Sequence, residues 1–208
     1  MGLWSHARGG HTAPVIQAQL FSGPPASPAG FRYESGFLSV PEEAQLLGHI
    51  RMLPLEEAQY KEWRARRRVM AFGGRYDYTH HELTEAPPIP EFLYSLRAQL
   101  AAWGGIAVER MQHAVIAEYR PETPLGWHRD VPEFEDVFGV SLLGHARMRF
   151  RPWPPVSGER ATFKIDLEPR SAYMIRGAAR WQWQHAVSPT RELRYSITFR
   201  TRNPRKSR

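Results

Sequence analysis

The chain has 208 residues, with 28 Lys+Arg against 21 Asp+Glu, nine histidines and no cysteine. A composition of 42% hydrophobic and 24% charged residues belongs to a globular domain and excludes a disordered chain. The missing cysteines exclude disulfides, thiolate metal sites, iron–sulfur clusters and a cysteine nucleophile, while a formal charge of +7 permits a polyanionic partner.

Length points to one domain, and a monomer is expected. No apolar run approaches the ~18 residues of a spanning helix, so no membrane partner is expected. Residues 1–30 lack the apolar core of a secretory signal, and a cytoplasmic protein is expected. Those residues read as an irregular arm ending in the Gly- and Pro-rich run Gly23 to Gly30. A short strand is expected over 31–38. Ser39 then reads as an N-cap, with Pro41 in the first turn and Glu42 at the capping-box position. Ala44, Leu47 and Ile50 would share the buried face of this helix, which stops before Pro54. A strand is expected over 68–72. A second helix is expected over 91–103, from Phe92, Leu96, Leu100 and Trp103, with Gly104 and Gly105 ending it.

After Arg110 the texture changes to β-branched and aromatic runs separated by Pro and Gly: HAVIAEY, VFGVSLL, ARMRFR, ATFKI, SAYMIR and YSITFR. The expected fold class is mainly β with flanking helices (α+β), an antiparallel jelly-roll barrel buttressed by the two N-terminal helices. The boundaries expected are an arm over 1–30, a single domain over 31–201 and a basic tail over 202–208. Within the domain, 31–110 would supply helices and 111–201 the barrel core.

The chemistry concentrates at Gly126-Trp127-His128-Arg129-Asp130. On a strand, residues two apart point to one side, so His128 and Asp130 can converge on one point. With one further His they would form a facial triad that leaves positions open, as in non-haem Fe(II) oxygenases. His185, in a run of apolar and aromatic residues, is the candidate third ligand. A loop His bonded to its neighbouring Asp is the plain alternative. Further on, Arg194, Ser196, Thr198 and Arg200 share one face of an alternating strand, opposite Tyr195, Ile197 and Phe199. Two arginines on an inward face need an anion, and a dicarboxylate chelated to the metal would supply one. An edge strand with solvated arginines is the alternative.

The order HRD, then QH, then R-x5-R resembles the AlkB family of Fe(II)/2-oxoglutarate dioxygenases, from about residue 66 to 201. FGGRYDYTHHELTEAPPIPEFL is similar to the substrate-lid and helix segment of that family, and Tyr119 stands where its Tyr precedes the HxD. The resemblance implies a double-stranded β-helix. It implies His128, Asp130 and His185 as iron ligands, Arg194 on the distal carboxylate of 2-oxoglutarate, and Arg200 near the metal-proximal one. Tyr119 and Ser196 would also contact the co-substrate, with O2 as second co-substrate. The implied reaction is oxidative demethylation of alkylated DNA or RNA bases, releasing formaldehyde, succinate and CO2. Three positions depart from the pattern: Ala117 and Ser196 replace asparagines, and Pro132 replaces an acidic residue that helps read the base, for which Glu133 or Glu135 would have to substitute.

For the substrate, the basic run Arg64 to Arg68 followed by Phe72, Gly73, Arg75, Tyr76 and Tyr78 suits phosphate contact and base stacking. A solvated turn followed by a core strand is the alternative. Trp127 and Arg129 are expected beside the substrate, although Trp127, Trp181 and Trp183 equally suit a core. His80 and His81 read as a surface turn, and His113 and His145 as structural. The rival functions are the same oxygenase acting on a protein side chain or small molecule, and a catalytically silent nucleic-acid-binding barrel.

Overall fold

The computed structural model describes residues 27–60, 63–77, 80, 82–155 and 163–206. The arm expected before residue 27 lies outside them. The described chain begins with β1 (Phe31–Glu34), which ends early because Gly36 takes a positive φ of 62°. Helix α1 (Val40–Ile50) opens with the expected capping box: the Glu42 carboxylate accepts the Ser39 N–H at 2.8 Å, and the Ser39 hydroxyl accepts the Glu42 N–H at 3.4 Å.

The buried face of α1 carries Glu43, Leu46, Leu47 and Ile50, so Ala44, expected inside, faces solvent. Glu43 is tolerated inside because both its oxygens are used. One accepts the Leu143 N–H at 2.8 Å, the other the Arg170 guanidinium at 3.0 Å. Leu143 and Arg170 sit at φ 70° and 64°, so one carboxylate ties the helix to two left-handed turns of the sheet. Glu43→Ala therefore costs about 2–4 kcal/mol in urea unfolding, well above a surface substitution.

The chain continues through β2 (Glu56–Tyr60), β3 (Trp63–Phe72), β4 (Arg75–Asp77) and β5 (Glu82–Thr84). A 3₁₀ turn at Glu91–Leu93 leads into α2 (Tyr94–Gly104), close to the expected span. Gly105 ends it at φ 65°, and Gly104 lies so close to the Phe138 ring that no Cβ fits there. The rest is β6 (Met111–Tyr119), β7 (Leu125–His128), β8 (Phe134–Leu142), β9 (Ala146–Pro152), β10 (Phe163–Leu167), β11 (Ser171–Ile175), α3 (Gly177–Trp181), β12 (Trp183–Val187) and β13 (Arg194–Arg202).

All pairings are antiparallel. The large sheet runs β1-β11-β8-β13-β6-β3-β2 and the small one β10-β9-β12-β7, with β4-β5 a separate hairpin. The N-terminal half thus contributes β1, β2 and β3 to the large sheet: β1 and β3 fall where strands were expected, and β2 is additional. One core lies between the large sheet and the helices, where Leu47, Ile50, Leu96 and Leu100 meet Ile116, Phe138, Ile197 and Phe199. A second lies between the sheets, where Val137, Tyr173 and Ile175 meet Met148, Phe150 and Val187. This is the jelly roll expected, with α1 and α2 buttressing its large sheet. Among the described residues no helix is long and apolar enough to cross a membrane.

Candidate active site

The inner face of the large sheet follows from alternation. On β13, Tyr195, Ile197 and Phe199 enter the helix-side core, so Arg194, Ser196, Thr198 and Arg200 face the barrel interior. Pairing sets Ser196 between Ser141 on β8 and Ala117 on β6, and Arg200 beside His113.

The metal-ligand candidates come from the small sheet. His128 is the last residue of β7 and lies opposite His185 on β12, with ring centroids 4.2 Å apart. The register slips between the pairs His128↔His185 and Leu125↔Val187, so Gly126 and Trp127 together oppose Ala186. That bulge lets Leu125 and His128, three apart, both face inward. Asp130 lies beyond the strand in the following loop, so the shared-strand geometry expected from the HxD spacing is replaced by loop geometry. The loop is held by Arg180, whose Nη2 donates to the carbonyls of Asp130, Val131 and Phe134 at 2.9, 2.8 and 2.9 Å. Asn203 Nδ2 holds the Pro132 carbonyl at 2.9 Å.

These elements bring one ligand atom each from His128, Asp130 and His185 within 4.8 Å of one another. His128 Nδ1 donates to the Gly126 carbonyl at 2.9 Å, which leaves Nε2 for a metal. Asp130 Oδ1 accepts from Arg200 Nε at 2.7 Å, and its other oxygen lies 3.7 Å from His185 Nε2. Burial opposes ionisation of Asp130, but Arg200, His185, His128 and Arg180 together hold its carboxyl well below the usual carboxylate range. Burial pushes His185 down to about 3, with His128 adding to the shift, and lowers His128 too. All three groups therefore stand ready as ligands at neutral pH.

The same depression makes the metal-free fold acid-labile. His113 is also brought down to about 3, by burial first and then by Arg200. A histidine whose folded pKa lies below its unfolded value of ~6.5 stabilises fully above that pH and loses the contribution as pH falls below it. Urea titrations of the metal-free protein should show stability falling steadily between about pH 6.5 and 3; a flat profile across that window would contradict these burials.

Deeper in the barrel is a buried cationic cluster suited to an anion. Arg194 is fully buried at 1% exposure, its Nε donating to Ser141 Oγ at 2.8 Å and its guanidinium 4.9 Å from the centre of the Tyr119 ring. Its Nη1 is buried with no hydrogen-bond partner among the described residues. Burial alone would raise the Tyr119 hydroxyl, but the positive charges of Arg67 and Arg194 and hydrogen bonds to Arg67 and Ser196 leave it lowered. Tyr173 reaches across Gly139, which has no room for a Cβ beneath the phenol ring, and burial pushes its hydroxyl up to about 12. It stays protonated as a donor. A guanidinium cannot shed its proton, so the unpartnered Arg194 nitrogen calls for an anionic oxygen. The residues present thus fit both a divalent iron, through two neutral imidazoles and a carboxylate, and a dicarboxylate.

The substrate-side candidates divide. Arg68 and Phe72 are corrected: with Met70 they face the helices, where Phe72 joins the core and Arg68 pairs with Glu118 through Nε and Nη2 at 2.8 and 2.6 Å. Arg68→Ala should lower stability by about 1–3 kcal/mol in urea, because the buried Glu118 carboxylate loses its main partner, and leave the affinity for oligonucleotides unchanged. Gly73 turns the chain out of the sheet at φ 72°, pressed against the Gln112 carbonyl, and Gly74 abuts the His113 ring. This plants the β4–β5 hairpin, with exposed Arg75 and half-buried Tyr76, beside the barrel end where His113 stands next to Arg200. His80 caps a turn of that hairpin with Asp77, its Nδ1 2.8 Å from the carboxylate. Tyr78 and His81 lie outside the described residues. Trp127 is corrected too: it sits on the outer face of the small sheet under the guanidinium groups of Arg149 and Arg151. Arg129 covers the exposed Trp153 and donates to the Trp181 carbonyl at 3.1 Å. His113, expected as structural, is buried on the inner face against Phe134, with Nδ1 unpartnered among the described residues.

An antiparallel jelly roll with a His-Asp-His cluster beside a buried arginine defines a class of non-haem iron oxygenases, and comparison with known proteins agrees. The profile of the 2OG-Fe(II) oxygenase superfamily matches residues 34–200, and the chain belongs to that superfamily. An uncharacterized protein of Acanthamoeba polyphaga mimivirus is 28% identical over 163 residues, spanning 70% of this chain and 76% of its own. The alkylated DNA repair protein ALKBH8 homolog of Arabidopsis thaliana is 27% identical over 176 residues, 73% of this chain. This chain spans about half (48%) of the Arabidopsis protein. Among solved structures, OsALKBH1 matches with a TM-score of 0.61 at 18% identity, over 85% of this chain and 98% of that one. A Pseudomonas putida prolyl-4-hydroxylase matches with a TM-score of 0.56 at 15% identity, over 84% and 93%. The protein is an oxidoreductase that uses Fe(II), 2-oxoglutarate and O2.

Proposed function

We propose that the protein removes alkyl groups from nitrogen atoms of nucleic-acid bases by hydroxylating the alkyl carbon. The observation that carries this reading is the convergence of His128, Asp130 and His185 beside an arginine-lined anion pocket, in a chain related to a protein named for alkylated DNA repair. The β4–β5 hairpin at the metal end and the +7 formal charge support a polyanionic substrate.

Bound iron, with 2-oxoglutarate and O2, supplies the oxidising chemistry: one oxygen atom enters the alkyl carbon, the other enters succinate, and CO2 leaves. An N-hydroxymethyl product then breaks its C–N bond, releasing formaldehyde and returning a proton to the base nitrogen. The chain's own residues hold the parts in place. Arg194 and the Tyr119 hydroxyl receive the distal carboxylate. Arg200 keeps Asp130 ionised and oriented, and Gly126 fixes the His128 tautomer. Phe134, its ring tilted against His113 at the barrel end, excludes water. Glu133, in the loop after Asp130, has one carboxylate oxygen buried without a partner among the described residues, an acceptor for an exocyclic amine in place of the acidic residue that Pro132 displaces.

The test is mass spectrometry of methylated DNA, RNA and peptide pools incubated with the protein, Fe(II), ascorbate and 2-oxoglutarate. Loss of a methyl group from bases with matching formaldehyde and succinate supports the reading. Demethylation or hydroxylation confined to peptides would move the substrate to protein, and succinate release without any modified product would refute both.

A further inference from the structure

The anion pocket holds a second arginine that the motif pattern does not account for. On β3, Arg68, Met70 and Phe72 face the helices, so Arg67, Val69 and Ala71 face the barrel interior. The pairs Arg68↔Glu118 and Val69↔Ala117 bring Arg67 beside Tyr119, and Tyr119 pairs with Arg194 on the other side. Three adjacent strands thus set Arg67, Tyr119 and Arg194 in one row across the inner face. The Arg67 charge lies close enough to lower both Tyr119 and His128. Its Nε is buried and, like Nη1 of Arg194, has no partner among the described residues.

Two permanent cations on either side of one phenol, each with an unsatisfied buried N–H, repel one another and pay desolvation with nothing in return. An anion with two oxygens, set between them, answers both. The position that carries an asparagine in the resembling pattern is Ala117, paired with Val69 one step from Arg67, so a polar contact is missing on β6 where β3 offers a guanidinium. We propose that Arg67, Tyr119 and Arg194 together clamp the distal carboxylate of 2-oxoglutarate, with Arg67 binding it directly. The metal-bound end of the co-substrate is left to the triad and Arg200. The inference concerns the co-substrate and holds whichever primary substrate is taken.

The experiment is calorimetric titration of the full chain loaded with Mn(II), a redox-inert substitute for iron, with 2-oxoglutarate and separately with 2-oxobutyrate, which chelates the metal identically but lacks the distal carboxylate. Arg67→Met should weaken 2-oxoglutarate roughly 10- to 100-fold, the loss of one charge-assisted hydrogen bond, and leave 2-oxobutyrate within about twofold. Arg67→Lys should recover part of the loss. In a Tyr119→Phe background Arg67→Met should still weaken 2-oxoglutarate, which separates direct contact from positioning through the hydroxyl. If Arg67→Met fails to fold, Arg67→Gln, which removes the charge and keeps a hydrogen-bonding amide, serves the same comparison. Unchanged 2-oxoglutarate affinity, equal weakening of both acids, or disappearance of the effect in the Tyr119→Phe background would each overturn the proposal. Wild-type protein that binds neither acid would instead overturn the co-substrate pocket itself.

Discussion

Asp130→Asn abolishes iron binding and turnover while the barrel still forms. The substitution keeps shape and removes the one negative charge that balances the metal, so Mn(II) affinity should fall by more than the 10- to 100-fold typical of residues that merely orient a ligand. It also takes the carboxylate away from Arg200, whose Nε bonds Asp130 at 2.7 Å in a nearly buried position. Breaking one side of such a pair costs about 3–5 kcal/mol. The combined signature is specific: no visible charge-transfer band on anaerobic addition of Fe(II) and 2-oxoglutarate, and a lowered urea midpoint. His128→Ala leaves the Arg200–Asp130 pair intact, so it should lose the band with a smaller loss of stability. Equal stability losses in the two variants would show that the ion pair does not matter to the fold.

Arg194→Met separates co-substrate binding from stability in the opposite direction. The arginine is fully buried, bonds Ser141 and leaves Nη1 without a partner, so in the ligand-free protein it is a buried charge that its surroundings only partly satisfy. Methionine fills much of the same volume without the charge. The ligand-free variant should be as stable as wild type, or more stable by about 1–4 kcal/mol. Its affinity for 2-oxoglutarate should drop about 30-fold or more, as expected when one partner of a buried charge pair is removed. Thermal unfolding with and without 2-oxoglutarate in the presence of Mn(II) reads both effects. Wild type shifts upward with ligand as mass action requires, and the variant does not at the same concentration. A variant that is strongly destabilised without ligand would mean that Arg194 serves the fold first.

The residues that carry chemistry were largely legible because their types are costly unless used. His128, Asp130 and His185, and the paired arginines of β13, announce themselves by residue type and order, and the structure brings them together. Their local structure was less legible. The strands that hold the histidines, LGWH and WQHAV, are short and lack the β-branched runs that marked the other strands. Arg67 was hidden by symmetry of pattern: Val69 and Ala71 on one face and Met70 and Phe72 on the other are all apolar, so a period of two cannot say which face meets the barrel. Pairing with β6 decides it, and that partner lies far along the chain. Glu43 shows the same limit on a helix. Its burial depends on Leu143 and Arg170, partners with no local signature, so the apolar Ala44 looked the better candidate for the inner face.

The bulge at Gly126 and Trp127 has a consequence for how this chain tolerates change in length. Deleting either residue restores a regular ladder along β7 in which Leu125 and His128 stand two apart, so that both still face inward. The shortened protein would be a well-folded barrel that keeps His128 opposite His185. A relative lacking one residue at this point should therefore still be counted as a scaffold able to hold the metal when all three ligand residues are spelled out in its sequence.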